Sequence, residues 1–114
     1  MPELENVRQV DEIDRDLTPQ AIINMASEKV VSRGGQLVKG KDELDCYRGA
    51  SFEMNGQVFA IRRYKGHPRG TSTIYLDPRI GDVNEITTRI SNILTTFDIP
   101  ESALHWQRKD NPEL

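Results

Sequence analysis

Apolar and polar residues alternate most strictly between residues 50 and 64, where Ala50, Phe52 and Met54 run into Asn55-Gly56 and Phe59 and Ile61 run out of it. Asn-Gly between two alternating runs specifies a two-residue hairpin turn, because both central positions tolerate positive φ. Such a turn sets Met54 opposite Gln57, Phe52 opposite Phe59 and Ala50 opposite Ile61, with the large apolar side chains on one side. A third strand over 71–76 continues the meander, pairing Ile61 with Ile74 and Phe59 with Leu76. A slip of one residue would expose the whole apolar set, so the pattern dictates the register.

Downstream, Val83, Ile86, Ile90, Ile93, Leu94 and Phe97 recur at helical spacing behind Asp82, a good N-cap, with Glu85 placed as in a capping box. Upstream, Thr18 and Pro19 read as N-cap and first position of a helix that reaches about Ser32. Ile22, Ile23, Met25, Ala26 and Val30 lie along one arc, and Gly34 reads as a left-handed stop. Residues 36–38 read as a short edge strand, 39–43 as a charged turn, and 102–108 as a last strand carrying Leu104 and Trp106 inward. The expected fold class is therefore α+β in the order α-β-β-β-α-β, an antiparallel three- to four-stranded sheet with two helices packed on one face. Residues 1–16 read as an acidic N-terminal arm, 17–108 as a single domain and 109–114 as a loose C-terminal tail.

At 114 residues the chain has room for one core and no second lobe. Its net charge of −3 conceals a segregation: residues 1–28 hold seven acids against two bases, 29–70 nine bases against four acids, and 71–114 seven acids against four bases. A basic middle within an acidic chain can steer an anionic partner. One cysteine, Cys46, allows no internal disulfide, and no apolar run has the length of a signal core or membrane span; a reducing, cytoplasmic setting is expected.

With two helices on one face, the reverse of the sheet would be open and would present Tyr47, Arg62, Tyr64, Thr73 and Tyr75. Rings beside an arginine suit flat or anionic ligands. The adjoining loop, residues 62–70, holds four bases and His67 without an acid, and its glycines allow close approach to phosphate. Arg62, Arg63, Tyr64, Lys65, His67, Arg69, Thr73 and Tyr75 are the candidate ligand- or partner-binding residues. On the second helix Asn84, Thr88, Asn92 and Thr95 form an outer face poor in charge, which can be buried against a partner more cheaply than Lys or Glu; they are the candidate homodimer interface.

Catalysis is weakly supported. Cys46 has no histidine at a telling spacing, His67 reads as a solvated loop tip and His105 points away from Leu104 and Trp106. Two histidines and one cysteine make no metal-ligand pattern, and nucleotide-binding glycine motifs are absent. The helix, three strands, helix order is shared with double-stranded-RNA-binding domains, but Asp82 and Glu85 stand where those present bases, so no residue carries over. The expectation is a small non-catalytic binding module without cofactor. It would recognise a protein partner, itself or a small anionic ligand through the open face and the 62–70 loop, without a membrane. The alternatives are nucleic-acid binding through that loop, or a small enzyme with a site near Cys46 or His105.

Overall fold

Asn55 and Gly56 both adopt positive φ, 53° and 78°, as the hairpin turn requires. They join strand β4 (Cys46–Met54) to β5 (Gln57–Tyr64), which pair in the register the alternation dictates, Phe52 opposite Phe59 and Ala50 opposite Ile61. Strand β6 (Ser72–Leu76) follows in the same way, with Ile61 opposite Ile74 and Phe59 opposite Leu76. The computed structural model describes residues 7–11, 17–41 and 46–107.

Around this meander the sheet is larger than its sequence suggested. Strands β1 (Val7–Val10), β2 (Thr18–Ile23), β3 (Val38–Lys41) and β7 (Leu104–Gln107) bring the described residues to seven strands, all paired antiparallel in the order β1-β4-β5-β6-β2-β7. β3 also pairs with β4, at the end opposite the hairpin turn, so β1 and β3 divide one edge of β4 between them. The expected three- to four-stranded sheet with two helices packed on one face is thus overturned. One long helix, α2 (Val83–Thr96), is accompanied by a five-residue helix, α1 (Ser27–Val31), and a short 3-10 turn at Glu101–Ala103.

The first expected helix fails for an identifiable reason. Its leading half is β2, where Pro19 stands beside a register irregularity against β6, a place where a missing N–H is tolerated inside a sheet. Ala21 and Ile23 face the core while Ile22 faces the reverse, so the period there is two rather than 3.6. Only after the bend at Asn24-Met25 does helix begin. Gly34 is not left-handed; a Cβ there would come within 3.0 to 3.2 Å of the Phe97 and Phe52 rings, so what it supplies is room. The segment read as an acidic arm contributes β1; residues 1–6 and 12–16 of it lie outside the described residues, as do 42–45 and 108–114, which include the expected tail.

The core lies between one sheet face and the helices. Phe52, Phe59 and Phe97 meet as a stacked and edge-on trio, with Ile61 and Ile74 beneath and Ile86, Ile90 and Ile93 above, all essentially inaccessible. The Asp82 side chain accepts from the Asn84 N–H at the start of α2, so the capping residue is as expected although its partner is N2 rather than N3. At the other end Asp98 takes a left-handed conformation and the Arg33 guanidinium donates to the carbonyls of Phe97 and Asp98, matching a cation to the negative helix terminus.

Candidate functional site

Strand alternation decides which bases share a surface. On β4 and β5 the residues facing the core are 50, 52, 54 and 59, 61, and two residues beyond Ala50 and Ile61 the same face carries Arg48 and Arg63, directly opposite each other. Lys39 on β3 is the next cross-strand partner of Arg48, so three bases form one row across three strands. A second row follows at the end of the sheet: Lys41 pairs with Cys46, and the Lys65 N–H donates to the Cys46 carbonyl at 2.9 Å. A face that is apolar beneath α1 and α2 therefore turns basic beyond them.

Lys39, Lys41, Arg48 and Lys65 are exposed and Arg63 is half-buried. Glu28 of α1 approaches Arg48 at 3.7 Å, and Arg63 donates to the His67 carbonyl at 3.2 Å. Among the described residues no ion pair involves Lys39, Lys41, Lys65 or Arg69. The loop from Lys65 to Gly70 is exposed throughout, shaped by the His67 N–H to Tyr64 carbonyl bond, by the Thr71 hydroxyl donating to the Pro68 carbonyl, and by Gly70 at φ 80°.

The reverse face is not open. Tyr47, Tyr64 and Tyr75 retain only 6 to 8 % of their accessibility and Arg62 6 %, and Thr73 and Ser51 are buried with them. The Arg62 guanidinium lies 4.5 Å from the Tyr47 ring centre and 5.8 Å from that of Tyr75, and it donates to the Tyr64 hydroxyl at 3.4 Å. The expectation of an exposed tyrosine platform is corrected accordingly: these rings and this arginine form a second buried layer, with Leu17 packed against it. Burying an arginine is tolerable only when its charge is compensated, and Arg62 has further partners beyond these rings.

Of the residues singled out from sequence, Lys65, His67 and Arg69 are thus exposed together at the basic end with Arg63 beside them. Arg62, Tyr64, Thr73 and Tyr75 belong to the buried reverse face. Asn84, Thr88, Asn92 and Thr95 are all exposed along α2. Lys39, Lys41 and Arg48 are not found by the sequence reading, because 39–43 reads as a turn and Arg48 then has no strand partner but Arg63; the spacing of two between Lys39 and Lys41, matching that between Arg63 and Lys65, is the available signal.

Cys46 and His105, the two places named for a catalytic site, do not converge. Cys46 is exposed and in no disulfide; His105 lies on β7, four strand places away, about 19 Å at the usual spacing. Trp106 on β7 points outward rather than inward and is 43 % exposed. No group of three metal-ligating side chains occurs among the described residues, and none of their helices is long and apolar enough to cross a membrane. A pocket beside the hairpin turn, lined by Met54, Val58, Ile80, Arg89 and Ile93, holds about 40 Å³, far below the roughly 300 Å³ at which small-molecule sites begin. Comparison with protein-family models, curated protein sequences and solved structures finds no match to this chain.

Proposed function

We propose that this chain is a small, non-catalytic binding module that recognises an extended anionic partner through the basic end of its sheet. The surface consists of Lys39, Lys41, Arg48, Arg63 and Lys65 with the loop residues His67 and Arg69. The observation that carries the reading is the cross-strand row Lys39, Arg48, Arg63. Like charges directly opposite each other in a sheet cost stability. A chain with net charge −3 that nevertheless gathers its bases into one row has them placed for attraction. The reading modifies the sequence expectation by moving the site off the tyrosine face and onto exposed side chains. A reducing compartment suits the single exposed thiol of Cys46.

Heparin chromatography at neutral pH and low ionic strength tests it. The wild-type protein is expected to be retained and to elute with salt, and the variant Lys39→Gln/Lys41→Gln/Arg63→Gln/Lys65→Gln to flow through. Flow-through of the wild-type protein, the behaviour of an acidic protein with evenly spread charge, would refute the reading.

A second reading, self-association, is favoured by one observation. The outer face of α2, with Asn84, Thr88, Asn92 and Thr95 exposed, adjoins β7 through the Gln107 to Thr87 side-chain bond, and β7 carries the exposed Trp106. Light scattering should then give a dimer mass that Thr88→Lys/Asn92→Lys halves; a wild-type monomer removes this reading.

A further inference from the structure

The two basic rows stand exposed on one sheet face, are spread over three strands and carry no ring, and those three properties select among anionic partners. Taking the proposed function as its starting point, we infer that the partner is the phosphate backbone of a double-stranded nucleic acid, contacted without insertion of any side chain between bases.

Three comparisons support this. Small anionic ligands are held in concave sites that enclose most of their surface. Here Lys39, Lys41, Arg48 and Lys65 stand exposed on a cross-strand surface about 10 Å wide, two strand spacings, and about 7 Å deep, one alternation along the strand. Stable protein partners are anchored by buried aromatic and aliphatic residues, and lysine is depleted in their interfaces. Apart from Cys46, the two rows contain bases alone; the Tyr47 and Tyr64 rings are buried on the opposite face, and the adjoining loop adds only the imidazole of His67. Single-stranded nucleic acid is held by stacking bases on exposed aromatic side chains. Among the described residues the one large exposed apolar side chain, Trp106, lies about 19 Å away across β5, β6 and β2.

A duplex needs neither concavity nor rings. It presents one charge per about 1.7 Å of axis, so about 10 Å of duplex carries roughly six phosphates, of which about three face one side. Five bases in two rows match that density with Glu28 engaging only Arg48. Binding should therefore be sequence-indifferent and salt-dependent, with a log–log slope near −3.

Cys46 supplies a reporter, since it is the only cysteine in the chain and sits between Lys41 and Lys65 in the second row. The full-length protein is titrated with fluorescein-labelled DNA duplex, RNA duplex, single strand of equal length and polyglutamate. In parallel the rate of Cys46 alkylation by neutral N-ethylmaleimide is followed. Expected are binding of a duplex at least ten-fold tighter than of single strand or polyglutamate, a slope near −3, and alkylation slowed several-fold at saturation. All three should be lost in Lys39→Gln/Lys65→Gln, whose substituted side chains are exposed and do not endanger the fold. The ratio between the two duplexes shows which of them supplies the phosphates. Retention on heparin with equal or tighter binding of single strand or polyglutamate overturns this inference and leaves the proposed function standing. Duplex binding that leaves Cys46 alkylation unchanged overturns it as well, and loss of heparin retention overturns both.

Discussion

Arg48 and Arg63 are direct cross-strand partners, with no acid between them on the sheet. The nearest compensation is Glu28, 3.7 Å from Arg48 and half-exposed, and pairs of that kind contribute little. The relationship therefore predicts a trade between stability and binding. Arg48→Thr removes the repulsion and introduces a good strand former, and should stabilise the fold by about 0.5 kcal/mol. That corresponds to roughly 2–3 °C in Tm for a domain of this size. Since salt screens the repulsion, the Tm difference between wild type and variant should shrink at high ionic strength. Heparin retention of the variant should weaken at the same time; a Tm below the wild-type value at every ionic strength would show that the row is not repulsive.

Between Lys41 and Cys46 the chain carries Asp42, Glu43 and Asp45. In the sequence these acids stand within two positions of Lys41 or Cys46, residues of the second basic row. They oppose any polyanion there. Asp42→Asn/Glu43→Gln/Asp45→Asn should accordingly tighten heparin binding, moving elution to higher salt, whereas the same number of neutralisations on α2 and its flank, at Asp82, Glu85 and Asp98, should move it less. Equal shifts would mean that net charge rather than the patch governs binding.

Two glycines near the site separate architecture from loop chemistry. A Cβ on Gly49 would lie 2.0 Å from the Ile61 carbonyl oxygen and 2.8 Å from the Arg62 Cα, both backbone atoms of the neighbouring strand. Gly49→Ala must push β4 from β5 and should destabilise by about 3 kcal/mol, the upper part of the overpacking range. Around Gly66 nothing lies within 4 Å, and its φ is not positive, so Gly66→Ala should change stability by less than about 0.5 kcal/mol. Urea denaturation of the two variants measures both; a destabilised Gly66→Ala would mean that the loop conformation is more constrained than its open surroundings indicate.

How much of this was readable in the sequence depended on where two requirements agreed. From Ala50 to Leu76 the turn chemistry and the alternation specify one register, and the strands take it. α2 was equally plain, since Asp82 caps an uninterrupted helical stripe. Between Thr18 and Ser32 they conflicted: Thr-Pro resembles a helix start, and Ile22, Ile23 and Val30 fit a helical arc, yet pairing with β6 and β7 on both sides outweighs that local preference. That misreading propagated. With β2 read as helix, the place of the last strand in the sheet stays open; the burial of Tyr47, Arg62, Tyr64 and Tyr75 is a separate correction, because strand alternation says which residues share a face and not whether that face is covered. The basic rows were illegible until β3 was paired with β4, because Lys39 lies 24 positions from Arg63 and only strand register brings them into line.

Charge counts in the sequence also conceal which bases are structural, and Arg33 shows how to separate the two. It belongs to the nine bases of residues 29–70, but its guanidinium is committed to the carbonyls of Phe97 and Asp98 at the end of α2. Charge-assisted bonds of this kind contribute about 1.5–3 kcal/mol, with a further contribution from the helix terminus. Arg33→Gln should therefore lower Tm by several degrees; because one guanidinium nitrogen makes both bonds, Arg33→Lys, whose ammonium also carries several donors on one nitrogen, should recover most of it. Heparin retention should be unaffected by either substitution, the reverse of the pattern expected for Arg48→Thr. If Arg33→Gln weakened heparin binding as much as Lys39→Gln does while leaving Tm unchanged, the basic surface would have to extend past α1, and Arg33 would belong to the binding site rather than to the fold.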